Sequence, residues 1–292
     1  MTYKYANRLH LPAPLLQAIV NDPYSGSGYT ASMFARPVQI IELEKRHEIT
    51  VDISDMIYPL IGNNAHYILE RMGIKNALQE ERLFAKVGKE RISGQIDHYT
   101  HDHVLQDWKI TTRWVLIDGA KYEWVVQLNI DAFLLVRNNF PVRKIEIVAM
   151  FRDWSKTQAA KNPLYPKSQV AILPVELWPM ERTRNYIEDR LTVFYAAQEL
   201  SDRDLPVCTP EERWEKPTTY AVKKKGNKKA ARVLASMGEA EEYIKDKELG
   251  DNYLIEKRLG ESTRCEYYCN VKNICHQYRR YSNSKKLNKG EE

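Results

Sequence analysis

Hydrophobic residues recur with two different periods along the first two thirds of this chain. Residues 122–136 carry them at helical spacing, and residues 82–87, 90–112 and 142–151 show the short alternating runs of strands. Residues 55–72 also have helical spacing, with one apolar stripe: Leu60, Ile61, Ala65, Ile68, Leu69 and Met72. With residues 90–112 counted as a hairpin, the pattern predicts helix, three strands, helix and strand, which is an α/β core. A short strand at 170–173 and a long helix at 179–200 are expected to follow it.

The hairpin carries two acids and a lysine. Ile96 belongs to one face of the first strand and Asp97 to the other, whereas Asp107 and Lys109 share a face of the return strand. Two carboxylates suit a hard divalent cation such as Mg²⁺ or Mn²⁺. An ammonium beside that cation can orient water or stabilise the charge of a phosphate. The pattern favours metal-assisted phosphodiester hydrolysis, and its alternative is a solvated hairpin with a surface ion pair.

Four cysteines form a second candidate site. Cys265, Cys269 and Cys275 are separated by three and five residues, and Cys208 lies well upstream. Closely spaced thiolates can converge on one centre, and a distant fourth would tie the C-terminal part of the chain to it. Four thiolates suit either structural Zn²⁺ or an iron–sulfur cluster, and the residues alone leave both open.

Composition narrows the class of protein. The chain has 292 residues, a formal charge of +5, 43% hydrophobic and 28% charged residues, as in globular proteins. It has no apolar run of membrane-spanning length and no secretory signal pattern at its start, so we expect a cytoplasmic protein with no membrane partner. The mild positive charge permits a nucleic-acid partner. Phosphate-loop and dinucleotide-binding motifs are absent from the sequence.

The acid followed by acid-x-lysine, Asp97 and then Asp107-x-Lys109, resembles the signature of PD-(D/E)XK nucleases. The word Gly62-Asn-Asn-Ala-His66 on the preceding helix resembles the RecB-like branch. One cysteine before and three after an intervening segment resembles members with a [4Fe–4S] cluster, such as the CRISPR-adaptation nuclease. The segments PVCTPEERW and RCEYYCNVKNIC look like phage or prophage members of this group, and the resemblance spans residues 54–278.

This resemblance implies roles for particular residues. His66, Asp97, Asp107 and the carbonyl of Trp108 would bind the active-site metal, and Lys109 would assist the chemistry. Gln127 matches a family glutamine on the following helix, but Asp131 stands where the family has an aromatic residue, usually tyrosine. An acid just before the hairpin, here Glu81, is a further helper in some relatives. The cysteine set Cys208, Cys265, Cys269 and Cys275 would hold a structural [4Fe–4S] cluster, although the family often has two residues in the first short gap.

The expected architecture is a restriction-endonuclease-like core, with a mixed central sheet flanked by helices. We expect a helical lead-in at 1–54, the nuclease core at 55–205, a cysteine-cluster region at 206–280 with a basic insert at 216–260, and a charged tail at 281–292. The resemblance implies an exonuclease acting on single-stranded DNA or DNA with free ends, in phage recombination, replication or repair, with a possible recombination partner. The alternative is a catalytically weak accessory protein that binds DNA ends.

Overall fold

The computed structural model describes residues 3–21, 28–72 and 77–289. The chain forms two compact units, residues 1–200 and residues 201–292. The hairpin lies in the first unit and the four cysteines lie in the second. Among the described residues, no helix is both long enough and apolar enough to cross a membrane.

The first unit begins with short elements and continues with the predicted core. Its strands are β1 Tyr3–Ala6, β2 Tyr29–Thr30, β3 Ile49–Asp52, β4 Leu78–Val87, β5 Glu90–Tyr99, β6 Val104–Thr111, β7 Lys144–Phe151 and β8 Val170–Val175. Its helices are α1 Ala13–Val20, α2 Ala31–Phe34, α3 Val38–Arg46, α4 Ile57–Glu70, α5 Val115–Asp118, α6 Tyr122–Arg137, α7 Lys156–Lys161 and α8 Met180–Gln198. The predicted order of helix, three strands, helix and strand is confirmed.

A mixed sheet forms the centre of the first unit. Its strands lie in the order β2-β5-β6-β7-β8, and β4 also pairs with β5. β6 runs parallel to β7, whereas β4 and β5, and likewise β7 and β8, are antiparallel. Fully buried residues of β5, α6 and β7 form the core between sheet and helices: Ile92, Ile96, Leu128, Ile130, Leu134, Ile145 and Ile147. The expected mixed α/β fold, with a central sheet flanked by helices, is confirmed.

Strand β5 changes its neighbour along its length, and one of the predicted metal-binding residues lies at this change. β4 pairs with β5 from end to end. The other edge of β5 is shared, because β2 pairs at Ile92 and Ser93 while β6 pairs only at His98 and Tyr99. Asp97 lies where β5 passes from one neighbour to the other.

Helices α4 and α6 show that one spacing pattern can give two environments. Most of the second half of α6 is buried. No residue of α4 is buried, and Ile61, Ile68 and Met72 are each more than two fifths exposed. The expectation of a core-facing stripe on α4 is therefore wrong. Spacing identifies a helix with an apolar side, but the depth of burial depends on what packs against it.

The second unit is built around a small antiparallel sheet. Its elements are β9 Glu215–Lys216, β10 Thr219–Lys224, β11 Arg232–Leu234, α9 Met237–Asp246, β12 Tyr253–Arg258, β13 Glu261–Ser262, a π-helical turn Arg264–Tyr268 and α10 His276–Lys289. The sheet order is β11-β10-β12, and β9 pairs separately with β13. Most of the expected charged tail continues helix α10, and residues 290–292 lie outside the described residues.

Candidate metal sites

The two hairpin aspartates face each other across the point where β5 and β6 separate. His98 pairs with Gln106, and one step further along this antiparallel register Asp97 stands opposite Asp107. The ladder opens there, and the backbone N–H of Trp108 donates to Asp97 Oδ2 at 2.8 Å. A carboxylate thus accepts the N–H that a strand carbonyl would otherwise take. This hydrogen bond fixes the backbone of Trp108. The role of the Trp108 carbonyl oxygen as a metal ligand stays a prediction.

Helix α4 brings His66 to the same place. His66 Nδ1 lies 2.9 Å from Glu80 Oε1 and 3.6 Å from Asp97 Oδ1. One ligand atom from each of these three residues lies within 4.8 Å of the others. We call His66, Glu80, Asp97, Asp107 and Lys109 the hairpin site.

Glu80 is the member of this site that sequence reasoning missed. Glu81, the acid expected to help, is exposed, whereas the Glu80 side chain is only 3% exposed. The β4–β5 register sets Glu80 at the level of Asp97, and Glu80 has a φ of 50°, in the left-handed region that non-glycine residues rarely adopt. Such strain at a buried polar residue is typical of functional sites. The signal was the adjacent Glu80-Glu81 pair, because alternation sends only one of two neighbours to a given face.

Two successive hydrogen bonds, from Arg82 to Gln95 and from Gln95 to Glu80, hold the Glu80 side chain in place. Gln95 Nε2 donates to Glu80 Oε2 at 2.7 Å, and Arg82 Nη2 donates to Gln95 Oε1 at 2.8 Å. Glu80 therefore uses one oxygen for Gln95 and the other for His66. Partners of this kind fix the orientation of a metal-binding carboxylate and imidazole.

Lys109 and Gln127 both contact Asp107. Lys109 Nζ lies 2.8 Å from Asp107 Oδ1 and 2.7 Å from Oδ2. Gln127 Nε2, on α6, lies at 3.5 Å from Asp107 Oδ1, which is the outer limit of a hydrogen bond. The structure therefore brings His66, Lys109 and Gln127 together around Asp97 and Asp107, but not the expected helper Glu81.

The charges of the hairpin site are strongly coupled. Burial and the neighbouring Asp107 carboxylate raise the pKa of Asp97 to about 7. Burial opposes the charged forms of His66 and Lys109, yet the surrounding carboxylates outweigh it and raise the pKa of each. Without a metal the site therefore retains protons, because its acids exceed its permanent cations.

Asp131 adds a buried acid behind this site. It is 4% exposed, and its Oδ1 has no hydrogen-bond partner in the described part of the chain. Burial, then Asp107 and Asp97, raise the pKa of Asp131 well above its ordinary value. The Asp131 side chain has room because residue 94 is a glycine: a Cβ added at Gly94 would lie 2.0 Å from Asp131 Oδ1.

The donors of the hairpin site fit a hard divalent cation. Carboxylate oxygens and one imidazole nitrogen are ligands used by Mg²⁺ or Mn²⁺. A cation would also relieve the excess of buried acidic groups and displace their protons. His66, Glu80 and Asp97 are the residues whose ligand atoms already lie closest together.

The four cysteines lie near enough to one another within the second unit for their charges to interact. Gln277 on α10 binds both backbone groups of Cys208, accepting from its N–H at 2.8 Å and donating to its carbonyl at 2.9 Å. Gln277 lies two residues after Cys275, so this contact brings the first and last cysteines of the set together. Cys265 belongs to the π-helical turn, a distortion frequent at functional sites.

The thiols of this cysteine cluster influence one another. Burial, then Glu212 and the three other cysteines, raise the pKa of Cys208 far above its ordinary value. Burial, then Cys269 and Cys275, raise the pKa of Cys265 to about 11. The Tyr278 N–H donates to Cys275 Sγ at 3.4 Å. The raised pKa values keep Cys208 and Cys265 protonated without a cation, and a thiophilic metal would remove those protons.

Comparisons with known proteins give only distant similarities. No protein-family profile and no curated protein matches the sequence. Among solved structures, a protein described as SSO0001 is similar over 61% of this chain and 83% of its own, with 17% identity and a TM-score of 0.42. The alkaline exonuclease LHK-Exo from Laribacter hongkongensis is similar over 62% of this chain and 93% of its own, with 12% identity and a TM-score of 0.35. Similarity at these levels assigns no activity to this chain.

Proposed function

We propose that this protein is a Mg²⁺- or Mn²⁺-dependent deoxyribonuclease that hydrolyses phosphodiester bonds at DNA ends. The observation that carries the proposal is the meeting of Asp97 and Asp107 across the opened β5–β6 ladder, with His66 and Glu80 on one side and Lys109 on the other. A donor set for a hard cation beside a buried ammonium is suited to phosphoryl transfer.

Each side chain has a task that follows from its contacts. Asp97, His66 and Glu80, with Asp107, would hold the cation. Lys109 is held by both oxygens of Asp107, so its ammonium is positioned to stabilise charge on a phosphate or to orient an attacking water. Gln127 braces Asp107 from α6. When bound, the cation supplies a lowered water pKa and neutralises charge on the transferring phosphoryl group.

Substitutions at Asp107 and Lys109 test this proposal directly. Asp107→Ala and Lys109→Ala should each lower cleavage of end-labelled DNA with Mn²⁺ on the order of 10³-fold, since each removes a group that acts on transition-state charge. Asp102→Ala is the matched control, because Asp102 lies in the exposed turn of the same hairpin. Circular dichroism checks that each variant is folded, and full activity in either active-site variant would reject the assignment.

Action at ends is tested with DNA topology. An exonuclease degrades linear DNA and leaves covalently closed circles intact, whereas an endonuclease nicks both. The same assay on single-stranded and duplex ends separates the two expected substrates. Rapid cleavage of closed circles would contradict the exonuclease assignment and leave the nuclease assignment standing.

The second candidate function is a DNA-end-binding accessory protein with weak catalysis. The observation that favours it is Asp131, a buried acid with a raised pKa that stands, close to Asp97 and Asp107, where the family has an aromatic residue. DNA binding without cleavage under Mg²⁺, Mn²⁺ or other divalent cations would select this function.

We propose a structural [4Fe–4S] cluster, with Zn²⁺ as the alternative, at Cys208, Cys265, Cys269 and Cys275. The support is the electrostatic coupling of the four thiols, the Gln277 contacts that bring Cys208 beside Cys275, and the N–H contact to Cys275. Anaerobic purification with a visible absorption spectrum and metal analysis tests it. A brown protein with about four irons per chain supports the [4Fe–4S] cluster. A colourless protein with one zinc per chain supports the Zn²⁺ site instead.

A further inference from the structure

Charge in the insert of the second unit is sorted into two separate blocks. Residues 223–232 contain six lysines and arginines and no acid, whereas residues 237–251 contain six acids and two lysines. A surface selected only for solubility would mix the two signs. Concentrating like charges on one loop raises its electrostatic energy, and a polyanion would relieve it.

The basic loop, residues 223–232, connects β10 to β11 and is exposed. Lys223 forms an ion pair with Glu256 at 2.6 Å. The other five are exposed and form no ion pair in the described part of the chain: Lys224, Lys225, Lys228, Lys229 and Arg232. Their charges are thus available to a partner.

The basic loop has a defined shape. Gly226 has a φ of 84°, and the Asn227 N–H donates to the Lys224 carbonyl across the turn at 3.0 Å. The Lys225 N–H donates to the Asn252 carbonyl at 2.7 Å, which fixes the loop to the end of the neighbouring β12. A loop held by its backbone loses little entropy when its side chains meet a ligand.

The base of the insert is closed by a tight stem that leads to the cysteines. β9 and β13 pair at Lys216 with Glu261, just where the insert begins and ends. Gly260 permits this closure, because an added Cβ would lie 2.5 Å from the Lys216 carbonyl oxygen. Beyond β13 the chain enters the turn that carries Cys265. The insert is therefore an arm anchored in the cysteine-bearing part of its own unit.

We propose that the basic loop is a binding site for the phosphodiester backbone of DNA. The loop itself contains no aromatic residue on which a base could stack, so its lysines would act through the phosphates. Its ligand is the backbone of either a single strand or a duplex. The identity of the polyanion as DNA rests on the proposed function, whereas the site itself rests on the loop.

Salt-dependent binding measures the contribution of the loop. The test variant is Lys224→Gln/Lys225→Gln/Lys228→Gln/Lys229→Gln, and the control is Lys245→Gln/Lys247→Gln, two exposed lysines elsewhere in the insert. Fluorescence anisotropy with a labelled single strand and with its duplex is recorded from about 50 to 200 mM salt. A chelator prevents cleavage, so binding is measured without catalysis.

The loop variant should bind about tenfold or more weakly, with a shallower dependence on salt. The slope of log affinity against log salt falls by about 0.7 per lost contact on a single strand and 0.9 on a duplex, so by about 3 for four lysines. The control should match the wild type. A loss confined to one DNA form identifies that form as the ligand.

Two results would overturn the proposal. Unchanged binding by the loop variant means that the lysines are ordinary solvated residues. Equal weakening per removed charge in the control, about half the loss in log affinity for half the charges, means that net charge, not this loop, governs binding. Lys228→Glu/Lys229→Glu, at the exposed tip, is the second variant if the quadruple one is poorly folded. If the wild type binds DNA but does not cut it, the nuclease proposal alone is refuted. If the wild type cuts DNA and the loop variant binds as tightly as the wild type, the proposal for the basic loop alone is refuted.

Discussion

The hairpin site and the cysteine cluster differ in what holds their ligands in place before a metal binds. In the hairpin site the ligands are fixed by one another and by strands, as in the contacts of His66 with Glu80 and of Asp97 with the Trp108 N–H. In the cysteine cluster the sulfurs come from loops and a short π-helical turn, and a single glutamine secures Cys208. A sheet builds the first site as part of its own folding, whereas the proposed metal of the second site would complete the folding of its part of the chain.

The largest expected effect follows from breaking the cysteine cluster. Structural metal sites contribute on the order of 10 kcal/mol to the folding of small domains. Cys208→Ser should therefore abolish metal retention and hydrogen-exchange protection of residues 261–280, while β5 and β6 remain protected. Exchange detected by mass spectrometry checks this prediction.

Val207→Ala is the matched control for Cys208→Ser. Val207 is the exposed neighbour of Cys208, so its truncation changes the same segment without touching the thiols. Retention of protection in Cys208→Ser would mean that the metal is not what holds this part of the chain together.

The next effect separates Glu80 from Glu81 at the hairpin site. Glu80→Gln should weaken Mn²⁺ binding about 10- to 100-fold, because it alters a buried partner of His66 that faces the cation position. Glu81→Gln should leave binding unchanged, because its side chain is exposed. Isothermal titration calorimetry without DNA makes the comparison independent of catalysis. Equal effects from the two variants would remove Glu80 from the site.

The sequence could predict the hairpin site where the information was local. Alternation along two adjacent strands sets Asp97, Asp107 and Lys109 near one another, and helical spacing sets Gln127 on the following helix. The β5–β6 pairing and the contacts of Asp107 agree with that expectation. Short-range periodicity was therefore enough to predict most of the fold and the placement of Asp97, Asp107 and Lys109.

The features that escaped prediction depend on contacts between distant segments. Glu80 joins the site through the β4–β5 register and an unusual φ, neither of which periodicity encodes. The need for Gly94 appears only once Asp131 lies against it. The exposure of α4 likewise depends on how segments distant in the chain pack against it, which its own spacing does not encode.

Asp131 provides a smaller test, on stability. Asp131→Asn in the metal-free protein at neutral pH should raise the free energy of unfolding by about 1–3 kcal/mol, because it removes an acid whose pKa burial and the neighbouring Asp107 raise well above its ordinary value. Gly94→Ala should lower it by about 1–3 kcal/mol through overpacking. Urea unfolding measures both changes.

The double variant Gly94→Ala/Asp131→Ala shows whether the two residues act through their contact. Truncation of Asp131 removes the atom that clashes with the new methyl group, so part of the lost stability should return. Additive losses in the double variant would mean that Gly94 is required for another reason, such as the nearby Leu134 side chain.

The smallest effect is a pH dependence of opposite sign in the two units. In the hairpin site the raised pKa values of Asp97, about 7, and of His66 mean that the folded metal-free protein binds more protons than the unfolded chain. For Asp97 this stabilisation is complete below its ordinary pKa of 3.8 and is lost between that value and about pH 7, by about 1.4 kcal/mol per pH unit at most.

In the second unit, burial of Glu266 is outweighed by its bonds to Lys285 and Tyr278, so its pKa is lowered and its contribution to stability is lost as the pH falls. Urea unfolding of metal-free Asp97→Asn should show a weaker decline between about pH 4 and 7 than the wild type, and Glu266→Gln should show a weaker decline in acid. An unchanged slope in Asp97→Asn would mean that the proton of the hairpin site resides on another group.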